Sequence, residues 1–118
     1  MELNEYQRRA MTTCMPSSEN FAYMFLNLVG EVGELASKVA KSIRKEKVEI
    51  TDNHIGYYGG KDADADVELR KEAGDCLWQL SGLCSVMGWS LEDVAQENLD
   101  KLASRKERHV IDGNGDNR

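Results

Sequence analysis

Apolar residues at Phe21, Phe25, Leu28, Val32, Leu35 and Val39 recur at steps of four and three. That spacing lines up one stripe of an α-helix, whereas a strand would alternate by two. The same period runs through Leu69, Ala73, Cys76, Leu77, Leu80, Cys84 and Met87. The sole proline, Pro16, precedes both stretches, so no later residue lacks a backbone donor. Four helices are predicted. The first runs from about Leu3 to Thr13. The second is capped by Ser17 or Ser18, has Glu19 in its first turn, and continues to about Arg44. The third spans about Val67 to Met87 and stops at Gly88. The fourth starts from Ser90, with Asp93 completing a Ser-x-x-Asp box, and ends near Lys106. No strand is expected. The fold class is all-α, a helical bundle of four main helices, with residues 1–118 forming a single domain.

Between the second and third helices the period breaks. Residues 46–66 carry turn chemistry at Thr51-Asp52-Asn53 and Tyr57-Tyr58-Gly59-Gly60, and small charged residues from Lys61 to Asp66. They read as one long loop. The tail, 108–118, is rich in glycine, asparagine and aspartate and reads as irregular.

The formal net charge of −6 argues against a nucleic-acid groove, which needs a basic surface. It leaves nucleotides open as ligands, because metal ions reverse the local sign of an acidic site. No apolar run is long enough to span a bilayer and no secretory pattern opens the chain, so a cytoplasmic location with no membrane partner is expected. Cys14, Cys76 and Cys84 are odd in number and lack CxxC spacing, and read as reduced, structural thiols.

Glu31 and Glu34 stand three apart on the second helix; Glu72 and Asp75 stand three apart on the third. Residues three apart share a helix face. If the two helices pack antiparallel, the pairs face each other across one edge of the interface. Four such carboxylates repel and would take up protons unless a cation neutralised them. Mg²⁺ or Mn²⁺ suits an all-oxygen donor set. The alternative is four solvated acids on amphipathic helices, and spacing alone does not choose between them. His54 and His109 are not placed for Glu-x-x-His pairs, which disfavours a di-iron site.

Leu28-Val29-Gly30-Glu31-Val32-Gly33-Glu34-Leu35, followed by Glu72-Ala73-Gly74-Asp75, resembles the signature of the MazG-like family of all-α nucleoside triphosphate pyrophosphohydrolases. The opening Leu3-Asn4-Glu5-Tyr6-Gln7 is similar to members of that family. So is the end of the chain, from Asn98-Leu99-Asp100-Lys101-Leu102 through Arg105 to Gly113-Asn114-Gly115-Asp116-Asn117-Arg118. Dimeric dUTPases and phosphoribosyl-ATP pyrophosphohydrolases share the outline. The resemblance implies a (d)NTP or related nucleotide as substrate, hydrolysed to the nucleoside monophosphate and pyrophosphate. It implies that Glu31, Glu34, Glu72 and Asp75 ligate Mg²⁺, one of them also orienting or deprotonating the attacking water. A phosphoribosyl-ATP pyrophosphohydrolase and a non-catalytic helical interaction module are the alternatives.

Lys38, one turn beyond Glu34, is a candidate phosphate contact, while Lys41 and Lys45 read as exposed lysines complementing the helix dipole. Asn98, Lys101 and Arg105 step by three and four along the fourth helix. The resemblance makes them candidate contacts to phosphate or base; otherwise they are an amide at a helix contact and two solvated cations. The sides of helices two and three away from the apolar stripes carry Tyr23, Leu26, Gly30, Gly33 and Ser37, and Gly74, Trp78, Ser81 and Ser85. Uncharged faces of this kind call for cover. A homodimer or homotetramer is expected, with the three glycines allowing close helix approach.

Overall fold

The computed structural model describes residues 1–57 and 62–118. Its helices are α1 (Leu3–Met11), α2 (Phe21–Arg44), α3 (Asp62–Val86) and α4 (Leu91–Glu107). A 3₁₀ turn, Pro16–Ser18, precedes α2. The expected caps of α2 are therefore corrected: Ser17 and Ser18 belong to that turn, Glu19 closes it, and Asn20 is the N-cap. The Asn20 side chain accepts from the Tyr23 amide at 2.8 Å. Ser90 caps α4 as expected, accepting from the Asp93 amide at 3.2 Å.

Two findings revise the 46–66 loop. It contains an antiparallel hairpin of β1 (Val48–Thr51) and β2 (His54–Tyr57), pairing Val48 with Tyr57 and Thr51 with His54. Val48, Ile50, Thr51 and Ile55 are β-branched and suit a strand. Asp52 and Asn53, at φ 50° and 63°, form the two-residue left-handed turn that matches strand twist. Each strand has only four residues, so the alternation is too short to stand out against the helical pattern. The second revision is that α3 begins at Asp62, not Val67. Acidic residues interleaved with alanine suit a helical first turn, where they meet the positive end of the dipole. The remaining turn residues, Tyr58 to Lys61, lie outside the described residues.

α3 ends in a Schellman arrangement around Gly88 at φ 73°. The Trp89 amide donates to Cys84 O at 2.8 Å and the Gly88 amide to Ser85 O at 3.1 Å. α2 and α3 form the main helix pair and run antiparallel: Asn27 meets Gln79, and Lys38 meets Glu68. They approach closely at Gly82, where an added Cβ would lie 2.6 Å from Met24 Cε and closer still to Sδ. Within the chain Gly33 and Gly74 make no close helix contact, since a Cβ at either would meet nothing within 4 Å.

α1 lies across α3 and α4. The Trp78 indole donates to Ala10 O at 3.1 Å and Thr13 Oγ1 at 2.9 Å. Gln7 donates to Ser85 Oγ and Trp89 O, and accepts from the Leu91 amide. α1 therefore covers part of the Trp78 side of α3 within the chain, while Gly74 and Ser85 on that side stay exposed. Met24, Val48, Ala65, Cys84 and Leu91 form the buried apolar core. Phe21, Phe25 and Val32 of the sequence stripe are exposed instead. The face of α2 toward α3 is rotated to Met24, Asn27 and Glu31. Among the described residues, no helix is long and apolar enough to cross a membrane.

Candidate active site

The antiparallel pairing of α2 and α3 sets the site. Matching positions along the two helices bring Glu31 opposite Asp75 and Glu72. One carboxylate oxygen from each of the three lies within 4.8 Å of the others. Glu31 and Glu72 are half-buried and Asp75 is exposed. Glu34, the fourth acid, is exposed and stands outside this group of three.

Charge crowding is felt most at Glu31. Burial, then the Asp75 carboxylate, pushes its carboxyl above the ordinary glutamate value; Glu72 and Glu34 add to this, and a hydrogen bond from Asn27 opposes it. That bond runs from Asn27 Nδ2 to Glu31 Oε1 at 3.3 Å. Asn27 Nδ2 also donates to Gln79 Oε1 at 2.9 Å. Gln79 is 1% exposed, and its Nε2 donates to Met24 Sδ at 3.2 Å and Met24 O at 3.4 Å. The result is a chain of side chains from the helix contact to one carboxylate. Neither amide was singled out from the sequence. The available signal was a pair of amides, Asn27 and Gln79, within otherwise apolar stretches, where burial demands partners.

Two further groups touch this field. The Tyr6 phenol of α1 is raised by burial and then by Asp75. The Cys76 thiol is raised by burial, then by Glu31, Asp75 and Glu72, which keeps it from acting as a thiolate. Among the described residues, Lys38 is the one cation paired with any of the three acids. Its Nζ lies 3.7 Å from Glu72 Oε1 and 3.5 Å from Glu68 Oε2.

The donor set fits a hard divalent cation. All three groups are oxygen anions, and Glu31 is driven toward protonation by burial and then by neighbouring carboxylates whose charge a cation would neutralise. Asn98, Lys101 and Arg105 lie on α4, and among the described residues none of them is paired with Glu31, Glu72 or Asp75. Asn98 is exposed. Lys101 Nζ lies 3.3 Å from Asp116 Oδ1, and Arg105 Nη2 donates to the same oxygen at 3.1 Å. Arg105 is buried, and also donates to Asp116 O. The tail, irregular as expected, is thus folded back onto α4, and its last residue donates from Arg118 Nε to Val110 O at 2.9 Å.

Residues 19–110 match the family model of the MazG nucleotide pyrophosphohydrolase domain. The chain is also 37% identical, over 125 aligned positions spanning 100% of both chains, to the Gene 37 protein of Mycobacterium phage L5. No solved structure matches it.

Proposed function

The chain belongs to the MazG nucleotide pyrophosphohydrolase domain family, and from that premise we propose that it hydrolyses a (d)NTP or related nucleotide to the nucleoside monophosphate and pyrophosphate. The observation that carries the reading is the meeting of Glu31, Glu72 and Asp75 within 4.8 Å. Family membership alone would not require this chain to keep such a costly cluster.

In this reading Glu31, Glu72 and Asp75 hold the metal, with Glu34 at the rim as a fourth acid. When bound, Mg²⁺ or Mn²⁺ supplies neutralising charge to the phosphates and makes water more acidic. Water attacks the α-phosphorus, the bond to the α–β bridging oxygen breaks, and pyrophosphate leaves with that oxygen. The proton lost by the water passes to one of the four carboxylates. Asn27 holds one Glu31 oxygen in place, leaving the other to point at the ligand. Lys38, already beside Glu72, faces the phosphates. Asn98, Lys101 and Arg105 stay as proposed substrate contacts, which requires nucleotide phosphate to compete with Asp116 for the two cations.

We also propose a homodimer or homotetramer, supported by the apolar side chains that α2 leaves uncovered. The function is tested with a nucleotide panel, Mg²⁺ and ¹⁸O-labelled water. Pyrophosphate release, with label in the monophosphate, is expected. Label in the pyrophosphate, or full turnover in excess chelator, would sink the reading.

A further inference from the structure

A second feature adjoins the acids. Near the C-terminal end of α2 lies a cavity of about 160 Å³ whose lining includes Lys38, Lys41, Lys45 and Lys47, with Asp64 and Glu68 of α3 opposite. We propose that this cavity is a polyphosphate subsite, seating the terminal phosphates of the substrate; its place beside the reaction rests on the function proposed above.

Charge and geometry both support it. Lys38, Lys41 and Lys45 step by three and four, so they share one face of α2. Side chains on a helix tilt toward its N-terminus, which leans these ammoniums back toward Glu31. At 1.5 Å per residue, Lys38 and Lys41 start about 10 and 15 Å along the axis from Glu31, and long side chains shorten that gap. Lys38 belongs to both features, lining the cavity while its Nζ lies 3.7 Å from Glu72. A phosphate chain anchored at the acids would therefore run directly into the lysines.

Three of the four lysines also lack an ion-pair partner among the described residues. Lys38 is paired with Glu68 and Glu72, and Lys71 adds a second cation to Glu68. Among the described residues no ion pair is found for Lys41, Lys45 or Lys47. Three unpaired cations converge on one cavity in a chain whose net charge is −6. Their mutual repulsion is relieved by an external anion, and the ammonium is a compact point charge suited to phosphate. Asp64 and Glu68 on the opposite wall lower the net positive charge, so the preference for a phosphate chain over a single orthophosphate comes from the several lysines a chain can reach at once.

The test is calorimetry with inorganic tripolyphosphate in excess chelator, so that the acids hold no cation and no turnover is needed. Wild-type protein is expected to bind tripolyphosphate more tightly than orthophosphate. Lys41→Gln/Lys45→Gln is expected to weaken tripolyphosphate binding at least about tenfold. Arg8→Gln/Lys106→Gln removes the same charge elsewhere and should weaken it less than about twofold. Circular dichroism confirms folding, and Lys47→Gln alone, with an expected threefold or greater loss by the same logic, serves if the double variant does not fold. Equal losses in both pairs, or no binding by wild type, would overturn the subsite. Tripolyphosphate binding without nucleotide turnover would instead sink the proposed function and leave the subsite standing.

Discussion

Glu31 bears the strain of the site. Its raised carboxyl means that, between the ordinary value of about 4.3 and the raised one, the folded chain holds more protons than the unfolded chain. Stability of the metal-free protein therefore falls as pH rises through the raised value and recovers on acidification. Glu31→Gln keeps an acceptor for Asn27 and deletes the charge. In chelator at neutral pH it is expected to melt a few degrees above the parent, an advantage that shrinks toward pH about 4.3. With Mg²⁺ its turnover is expected to fall at least about 100-fold. A variant that melts lower at neutral pH would show that the carboxylate is a stabilising partner. Asn27 acts through Glu31. Asn27→Ala is expected to lose about 1–3 kcal/mol of stability, since Gln79 is left without its partner. It should also raise the Mg²⁺ concentration for half-maximal activity by about 10–100-fold. If that concentration does not move, the amide only packs.

At the scale of elements, α2 and α3 pack closely where Met24 meets Gly82. Met24 is fully buried against it, and Met24 Sδ accepts from Gln79, which in turn holds Asn27. Gly82→Ala forces the Met24 side chain to move and is expected to cost about 1–3 kcal/mol, read as a lower denaturant midpoint. The same displacement loosens Gln79, so activity should drop further than in Gly33→Ala, whose added methyl meets nothing within 4 Å. Equal activity in the two variants would detach the helix crossing from the site. The hairpin shows the opposite situation. Its pairing is local, and its turn uses Asp52 and Asn53, residues that tolerate the left-handed region.

For the whole molecule, the exposed apolar surface of α2 is the telling quantity. Leu26 and Val29 are 67% and 66% exposed, and Phe21 and Phe25 stack on each other in the open with ring centroids 5.5 Å apart. A chain of this size with so small a buried core gains from a partner chain. Light scattering is expected to give at least twice the chain mass of 13.3 kDa. Val29→Glu is expected to produce a monomer or an unfolded chain. In a stable monomer the same change would sit in water and do little. An active species near 13.3 kDa, or a Val29→Glu variant that keeps the assembly, would defeat the prediction.

Helix existence, the Ser90 cap and the Gly88 stop were legible from residue order, because each depends on neighbours within a turn or two. Helical period put Glu31 with Glu34, and Glu72 with Asp75, on common faces; the meeting of Glu31, Glu72 and Asp75 needed the antiparallel packing of α2 and α3. The rotation of α2 was not legible. Which side of a helix is buried depends on where its partner packs, and here Met24 packs against a glycine 58 positions further along the chain. That rotation turned Asn27 inward beside Glu31, left Glu34 outside the group of three, and exposed Phe21, Phe25 and Val32. Tertiary structure also decided that α1 covers Trp78 and that Asp116 folds back onto Lys101 and Arg105. Such contacts join residues far apart in the chain. Periodicity reports only which residues share a face, and says nothing of what that face meets.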